Sequence, residues 1–317
     1  MPLTTRPPHH GIFLKAVKPD PQKKDFRRPC QDCNLPRMKK EMKKHKGRHG
    51  KKPSKGFEHK PQRGHSHGSD KRLAPANLYG FHAVREAWLN DARQINTLYC
   101  AENALTGFED TLREARQKGL NRPEPTIIDK AQLDKTLPQG AVHQGLALVT
   151  ADTLEMDLDD ILIRERDKQN SLVVILDQVT DPHNVGAILR SACAFGASGM
   201  IMQKKHAPEL SGVLAKTACG AVEHVPVAYE TNLSRSIETL QENGYFVFGL
   251  DERGEDITKQ KNLAGKTVLV LGAEGPGLRR LVKDHCDGLL RLPMQGPMPS
   301  INVSNAAAVA LYAFSKG

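Results

Sequence analysis

The sequence predicts an α/β protein. A largely parallel sheet occupies residues 171–317, a small α/β domain 76–150, a link 151–170, and a disordered basic tail 1–75. Three observations carry this. Beyond Ser171, unbroken apolar runs such as LVVILD, GMIMQ and TVLVLG alternate with segments of helical period. Strands without polar alternation are buried on both faces, which is the pattern of a parallel sheet between helix layers. Between Asn77 and Thr150, shorter apolar segments suffice for one compact domain of about seventy residues. Before Ala76 there is no hydrophobic period, and such a segment has too little apolar surface to offset the entropy of folding.

The charge is divided in the same way. The net charge is +10 overall, but residues 1–75 hold 21 Lys and Arg against 6 Asp and Glu, and the rest holds 25 against 30. The tail also carries seven of the thirteen histidines. Such a segment suits a polyanion, and nucleic acid is the commonest one; the plainer alternative is a solubilising tail. A mitochondrial transit peptide would also be basic, but Asp20, Asp25, Asp32 and Glu41 count against it. Cys30-x2-Cys33 followed by His45-x3-His49 comes close to Cys2His2 zinc spacing. The intervening NLPRMKKEMKK offers only Leu35, Met38 and Met42 as a core. In so histidine-rich a tail a chance match is the plainer reading, with a finger that depends wholly on its metal as the alternative; no metal is assigned to the site. No run approaches the roughly 20 apolar residues of a membrane span, and the N-terminus lacks a secretory apolar region. The six cysteines form no regular framework. A cytoplasmic protein is expected.

In chain order, NLYGFHAVREAWLND predicts a short lead-in and a helix with Val84, Ala87, Trp88 and Leu89 on one face. INTLYCA reads as a strand, GFEDTLREARQKGL as a helix closed by Gly119, PTIIDK as a strand, AQLDKTL as a short helix and HQGLALVT as a strand. Residues 151–170 are acidic and helical or linking. The second domain then reads as a strand ending at Asp177, a helix from about Val185 to Phe195, and strands GMIMQ, HVPVAY, YFVFGLD, TVLVLG and GLLRLPM with helices between them. It ends in the helix VSNAAAVALYAFS.

Three loops at strand ends have special composition, and in a parallel sheet such loops converge on one crevice. The first, DPHNVGAILR, supplies Asn184 and Arg190. Arg is a fixed charge suited to phosphate, or else a salt-bridge partner for Asp177 or Asp181. The second, LVLGAEGPGLRR, is glycine-rich but is neither a GxxxxGK[ST] phosphate loop nor a GxGxxG dinucleotide fingerprint. Its Glu274 would repel pyrophosphate and suits hydroxyls, amines or a positive centre; the bland alternative is a turn in which Glu274 caps a helix. The third, LPMQGPMPSINVSNAAAVAL, has no ionisable side chain. Its backbone amides with Ser300 and Asn302 can read an adenine edge and a ribose, and either residue can also serve as an N-cap.

Together DPHNVGAILRSACAFG, LVLGAEGPGL and LPMQGPMPSINVSNAAAVAL resemble the three motifs of the SpoU (TrmH-like) RNA ribose 2′-O-methyltransferases of the SPOUT superfamily. LYGFHAVREA and HQGLAL resemble the RNA-binding domain of the branch that methylates guanosine in bacterial 23S ribosomal RNA. The likeness covers residues 77–317 and leaves out the tail. It implies a trefoil-knotted C-terminal domain, S-adenosyl-L-methionine as cofactor, RNA as substrate and a homodimer whose site is completed across the interface. It implies that Gly272, Leu292 and Ile301, with Met294 nearby, hold the adenine and ribose. It places Asn184, Arg190, Glu274, Ser300 and Asn302 at the positions of the family's active-site residues. Arg190 is a poor simple base, since an arginine pKa lies above about 12; binding the neighbouring phosphate and stabilising a developing alkoxide is easier to defend. The rivals are the same chemistry on transfer RNA, a non-catalytic RNA-binding protein, and a nucleotide-dependent oxidoreductase, which the missing fingerprint disfavours.

The charge division predicts that deleting residues 1–75 weakens RNA binding and flattens its salt dependence while the remaining domains stay folded. Binding titrations at several salt concentrations check this; an unchanged affinity would refute it.

Overall fold

The structure, a computed structural model, describes residues 73–151, 156–260 and 263–316. The basic tail, with Cys30, Cys33, His45 and His49, lies outside the described residues. The small domain runs β1 (Leu78–Tyr79), α1 (Phe81–Leu89), β2 (Ile95–Cys100), α2 (Glu102–Gln117), β3 (Thr126–Ile127), α3 (Lys130–Lys135) and β4 (Leu146–Thr150). Its sheet has the order β1-β4-β2-β3. The β4 strand is antiparallel to β1 and β2, and β3 is parallel to β2.

The α2 helix starts five residues before the expected Gly107. Glu102 occupies the first turn, where negative charge meets the positive helix end. Gly107 sits inside the helix with nothing around a hypothetical Cβ. An interior glycine costs about 1 kcal/mol, which the packing of Phe108, Thr111 and Ala115 outweighs.

The larger part opens with α4 (Leu158–Glu165), the helical one of the two alternatives expected for 151–170. A capping box between Asp157 and Asp160 starts it, and Leu158 and Ile161 are buried. Then follow β5 (Ser171–Asp177), α5 (Pro182–Ala194), β6 (Gly199–Gln203), α6 (Gly212–Thr217), a 3-10 turn (Ala221–Glu223), β7 (Val227–Glu230), α7 (Leu233–Glu242), β8 (Phe246–Asp256), β9 (Lys266–Gly272), α8 (Arg280–His285), β10 (Gly288–Arg291) and α9 (Val303–Phe314). The six strands lie in the order β10-β8-β9-β5-β6-β7, with every pairing parallel.

The strand register explains the unbroken apolar runs. In β5, Val173 and Ile175 join one core with α4, α7 and α8, while Val174 and Leu176 join another with α5, α6 and α9. Alternate side chains point to opposite faces, and both faces are covered. The second core continues without a break into the small domain through Leu78, Val84 and Trp88.

The four described cysteines are free. Burial pushes the Cys100 thiol up to about 11 and the Cys286 thiol up to about 12, so neither is a ready nucleophile. Among the described residues no helix is long and apolar enough to cross a membrane.

Leu189 is fully buried on α5 beneath the sheet. Leu189→Ala is expected to destabilise the fold by about 3 kcal/mol, read as a lower urea midpoint with an unchanged slope.

Candidate active site

The site is built where β8, β9 and β5 end side by side. Asp177 and Gly272 are register partners at the last step of β5 and β9. Beyond Asp177, Gln178 adopts a left-handed φ of 61° and turns the chain. Asp181 then caps α5 by accepting from the His183 backbone N–H at 3.1 Å, with Pro182 in the first turn. A proline there gives up a donor that would have no partner in any case. Asn184, expected in a loop, is therefore in the first turn of α5.

Beyond Gly272 the chain doubles back. Gly277 N–H donates to the Ala273 carbonyl at 3.0 Å, and a Cβ on Gly272 would lie 2.3 Å from the Gly277 carbonyl carbon. Only glycine permits so close an approach. A second clamp lies just beyond. Asp177, wholly buried, accepts the Arg279 backbone N–H at 2.8 Å and the Arg279 Nε at 2.6 Å. The loop that carries Glu274 is thus held at both ends.

Glu274 Oε1 is the meeting point of all three loops. It accepts Asn184 Nδ2 at 3.2 Å, Asn302 Nδ2 at 2.5 Å and the Val303 backbone N–H at 3.4 Å. Asn302 Nδ2 also reaches Asn184 Oδ1 at 3.0 Å. The orientation of the Asn302 amide follows from its other end: its Oδ1 caps α9, accepting the Ser304 N–H at 2.8 Å and the Ser304 hydroxyl at 2.6 Å. With the oxygen so engaged, the donor end must face Glu274. Glu274 Oε2 takes no hydrogen bond among the described residues, all of its contacts being made through Oε1.

A cleft of about 680 Å³ opens beside this carboxylate, walled by residues 250–253, 271–277, 300–303, Lys283 and Ala306. Gly272, Glu274, Ser300, Ile301 and Asn302 line it. Asn184, Leu292 and Met294 do not, although Asn184 is bonded to the rim and Leu292 packs on the core beneath it. Arg190 also lies outside the lining. It is exposed on α5 and makes no ion pair or hydrogen bond among the described residues. The salt bridge to Asp177 or Asp181 considered for it does not form, because Arg279 takes Asp177 and the start of α5 takes Asp181.

One wall was missed by sequence reasoning. The β8 strand bulges out of register against β10 between Gly249 and Glu255, and residues 250–253 swing over the cleft. Asp251 there pairs with Lys283. Burial pushes the Asp251 carboxyl up, but the Lys283 ammonium and the Arg253 backbone N–H outweigh it and hold it below its usual range. The available signal was DERG following the strand YFVFGL, another strand end on the same side of the sheet.

Residues 171–312 match the SpoU rRNA Methylase family, and residues 78–153 match the family described as RNA 2′-O ribose methyltransferase substrate binding. A 23S rRNA (guanosine-2′-O-)-methyltransferase of Haemophilus influenzae is 40% identical over 244 residues, covering 74% of this chain and 95% of its own length. An uncharacterized tRNA/rRNA methyltransferase of Synechocystis is 36% identical over 238 residues, covering 74% of this chain; the chain spans 61% of that relative. Among solved structures, the SpoU methyltransferase AviRb of Streptomyces viridochromogenes, in complex with the cofactor AdoMet, aligns with a TM-score of 0.62 at 23% identity. That alignment covers 76% of this chain and 89% of AviRb.

Asp177→Asn removes the charge that clamps Arg279. A loss of about 2 kcal/mol in unfolding free energy is expected, from hydrogen bonds to a charged group, measured by urea denaturation.

Proposed function

The chain belongs to the SpoU rRNA methylase family, and from that membership we infer that it transfers a methyl group from S-adenosyl-L-methionine to a ribose 2′-hydroxyl in RNA. We take the target to be a guanosine of 23S ribosomal RNA. The observation that carries this reading is the Glu274 carboxylate, fixed by the amides of Asn184 and Asn302 with one oxygen left open at the cleft rim. The 78–153 match to a substrate-binding family and the named function of the Haemophilus influenzae relative support RNA, and ribosomal RNA in particular.

The cleft chemistry fits the cofactor. Leu250, Ile301 and Ala306 provide apolar surface beside the exposed backbone of the two glycine- and serine-bearing loops. Acidic Glu252 and Glu274 in the same walls suit a ligand with cationic centres. In this proposal Gly272, Leu292 and Ile301, with Met294 nearby, hold its adenine and ribose. When bound, the cofactor supplies an electrophilic methyl on a sulfonium.

The protein's part is positioning and charge. Glu274, with Asn184 and Asn302, orients the ribose hydroxyl through the open carboxylate oxygen, and Ser300 lines the path beside them. Holding two reactants in line is a large part of the rate in such a transfer. Arg190, free of any partner among the described residues, takes the neighbouring phosphate and stabilises the charge that develops on the 2′-oxygen as it attacks the methyl, the hydroxyl proton being released to solvent. Its place outside the cleft lining agrees with a site completed by a second copy of the chain. Val309 and Tyr312 on α9, 51% and 54% exposed, give the homodimer an apolar face. The trefoil knot belongs to the same proposal. The chain lays β10 outside β8 and then returns α9 against α5, a path that supports threading of the C-terminal segment. A cytoplasmic location goes with a ribosomal substrate.

The test is transfer of labelled methyl to unmodified 23S ribosomal RNA, with bulk transfer RNA in parallel. Label on ribosomal RNA at a 2′-O-methylribose is expected; label on transfer RNA alone would overturn the substrate. Arg190→Ala is expected to abolish transfer while cofactor binding is kept. Loss of both together would contradict the assigned role.

A further inference from the structure

We propose that Glu223 locks the small domain against the parallel-sheet domain, so that the RNA-binding module stands at a fixed distance from the cleft. Glu223 is thereby a positioning residue for the RNA. The assignment of the small domain to RNA rests on the reading above; the lock itself rests on four independent contacts.

The first is the shared core: Leu78, Val84 and Trp88 of the small domain belong to one buried cluster with Leu214, Ala218 and Val222 of the larger one. The second is a close approach of the chains. Gly220, at φ +91°, leaves no room for a side chain, since a Cβ there would lie 2.3 Å from Glu86 Cγ. The third is a backbone bond across the boundary, from Gly212 N–H to the Asn77 carbonyl at 2.8 Å.

The fourth contact sets the specificity. Glu223 Oε2 accepts Asn90 Nδ2 at 2.7 Å, and Oε1 lies 3.7 Å from Arg93 Nε. The two charged side chains are only 3% and 6% exposed. Among the described residues Arg93 Nε and Nη1 have no hydrogen-bond partner, and Glu223 is the counter-charge beside this buried cation. A buried charge stripped of its counter-charge is strongly destabilising where it sits, and the relief available here is separation of the domains into water. The Arg93 end is itself held in place. Arg122 donates to the carbonyls of Trp88 at 2.7 Å, Asn90 at 2.5 Å and Arg93 at 3.3 Å, which fixes the chain just beyond α1. At the exposed rim His224 Nε2 meets Glu86 Oε2 at 2.9 Å and adds a fifth link.

A locked module binds RNA without the cost of ordering two loosely joined bodies. Breaking the lock is therefore expected to raise KM for the RNA while leaving the cofactor site, built from other loops, unaffected.

Trp88 is the only tryptophan in the chain and lies in the shared core, so its fluorescence reports on the joint. In urea, the wild-type full chain is expected to show Trp88 fluorescence and far-UV circular dichroism changing in one coincident transition. In Glu223→Ala the Trp88 transition moves to lower urea and separates. KM for 23S ribosomal RNA rises about tenfold, and the S-adenosyl-L-methionine Kd stays within about twofold. The double variant Arg93→Met with Glu223→Leu, which replaces the ion pair by apolar groups, is expected to restore the coincident transition. Separate transitions in the wild type, or a Glu223→Ala protein with one transition and unchanged KM, would overturn the lock. Absence of any methyl transfer by the wild type would overturn the substrate reading alone, since the urea comparison needs no substrate.

Discussion

A single carboxylate oxygen, Glu274 Oε1, joins three loops whose contributing residues lie as far as 118 positions apart in the chain. The rest of the site is arranged to make that possible. Parallel strands bring β5 and β9 to a common end, so Asp177 and Gly272 are neighbours before any loop begins. The pinched backbone at Gly272 and the Asp177–Arg279 clamp then fix where Glu274 stands. The capping bonds of Asn302 decide which end of its amide meets the carboxylate. Hydrogen bonds to a charged acceptor are worth about 1.5–3 kcal/mol each. The network therefore couples the order of the three loops through one side chain.

The strands of the sheet were legible because both faces are buried, which turns β5, β6 and β9 into unbroken apolar runs. Glu274, Ser300 and Asn302 stood out because unusual composition at strand ends marks a crevice, whereas Gly272 and Ile301 were named only through the family resemblance. What could not be read involved choices between partners. Asp177 could pair with Arg190 or Arg279, and only the turn at Gly277 puts the Arg279 backbone and side chain on the same carboxylate. Asn184 was placed in a loop, with the helix expected from about Val185, yet α5 already starts at Pro182. The Asp251–Lys283 wall depends on a bulge in β8, and a bulge leaves no period in the sequence. The joint around Glu223 is likewise a matter of tertiary contact, since Arg93 and Glu223 carry no local pattern that links them.

The charge division ties the parts together. The residues after the tail are net acidic, and the cleft walls carry Asp251, Glu252 and Glu274 against Arg253 and Lys283. That suits a cationic cofactor and a ribose hydroxyl but does little to attract phosphates. In the proposed reading, attraction to RNA falls to Arg190 and the basic tail, and registration to the small domain, whose core runs into that of the sheet.

The most direct measurement of the central claim is the single-turnover rate of methyl transfer by Glu274→Gln with cofactor and RNA both saturating. Glutamine keeps the shape but sets an amide donor either against the amides of Asn184 and Asn302 or at the open position facing the ribose. The account predicts a fall of about 100-fold in rate, with RNA and cofactor still bound. A wild-type rate would contradict it and reduce the Glu274 network to a structural turn.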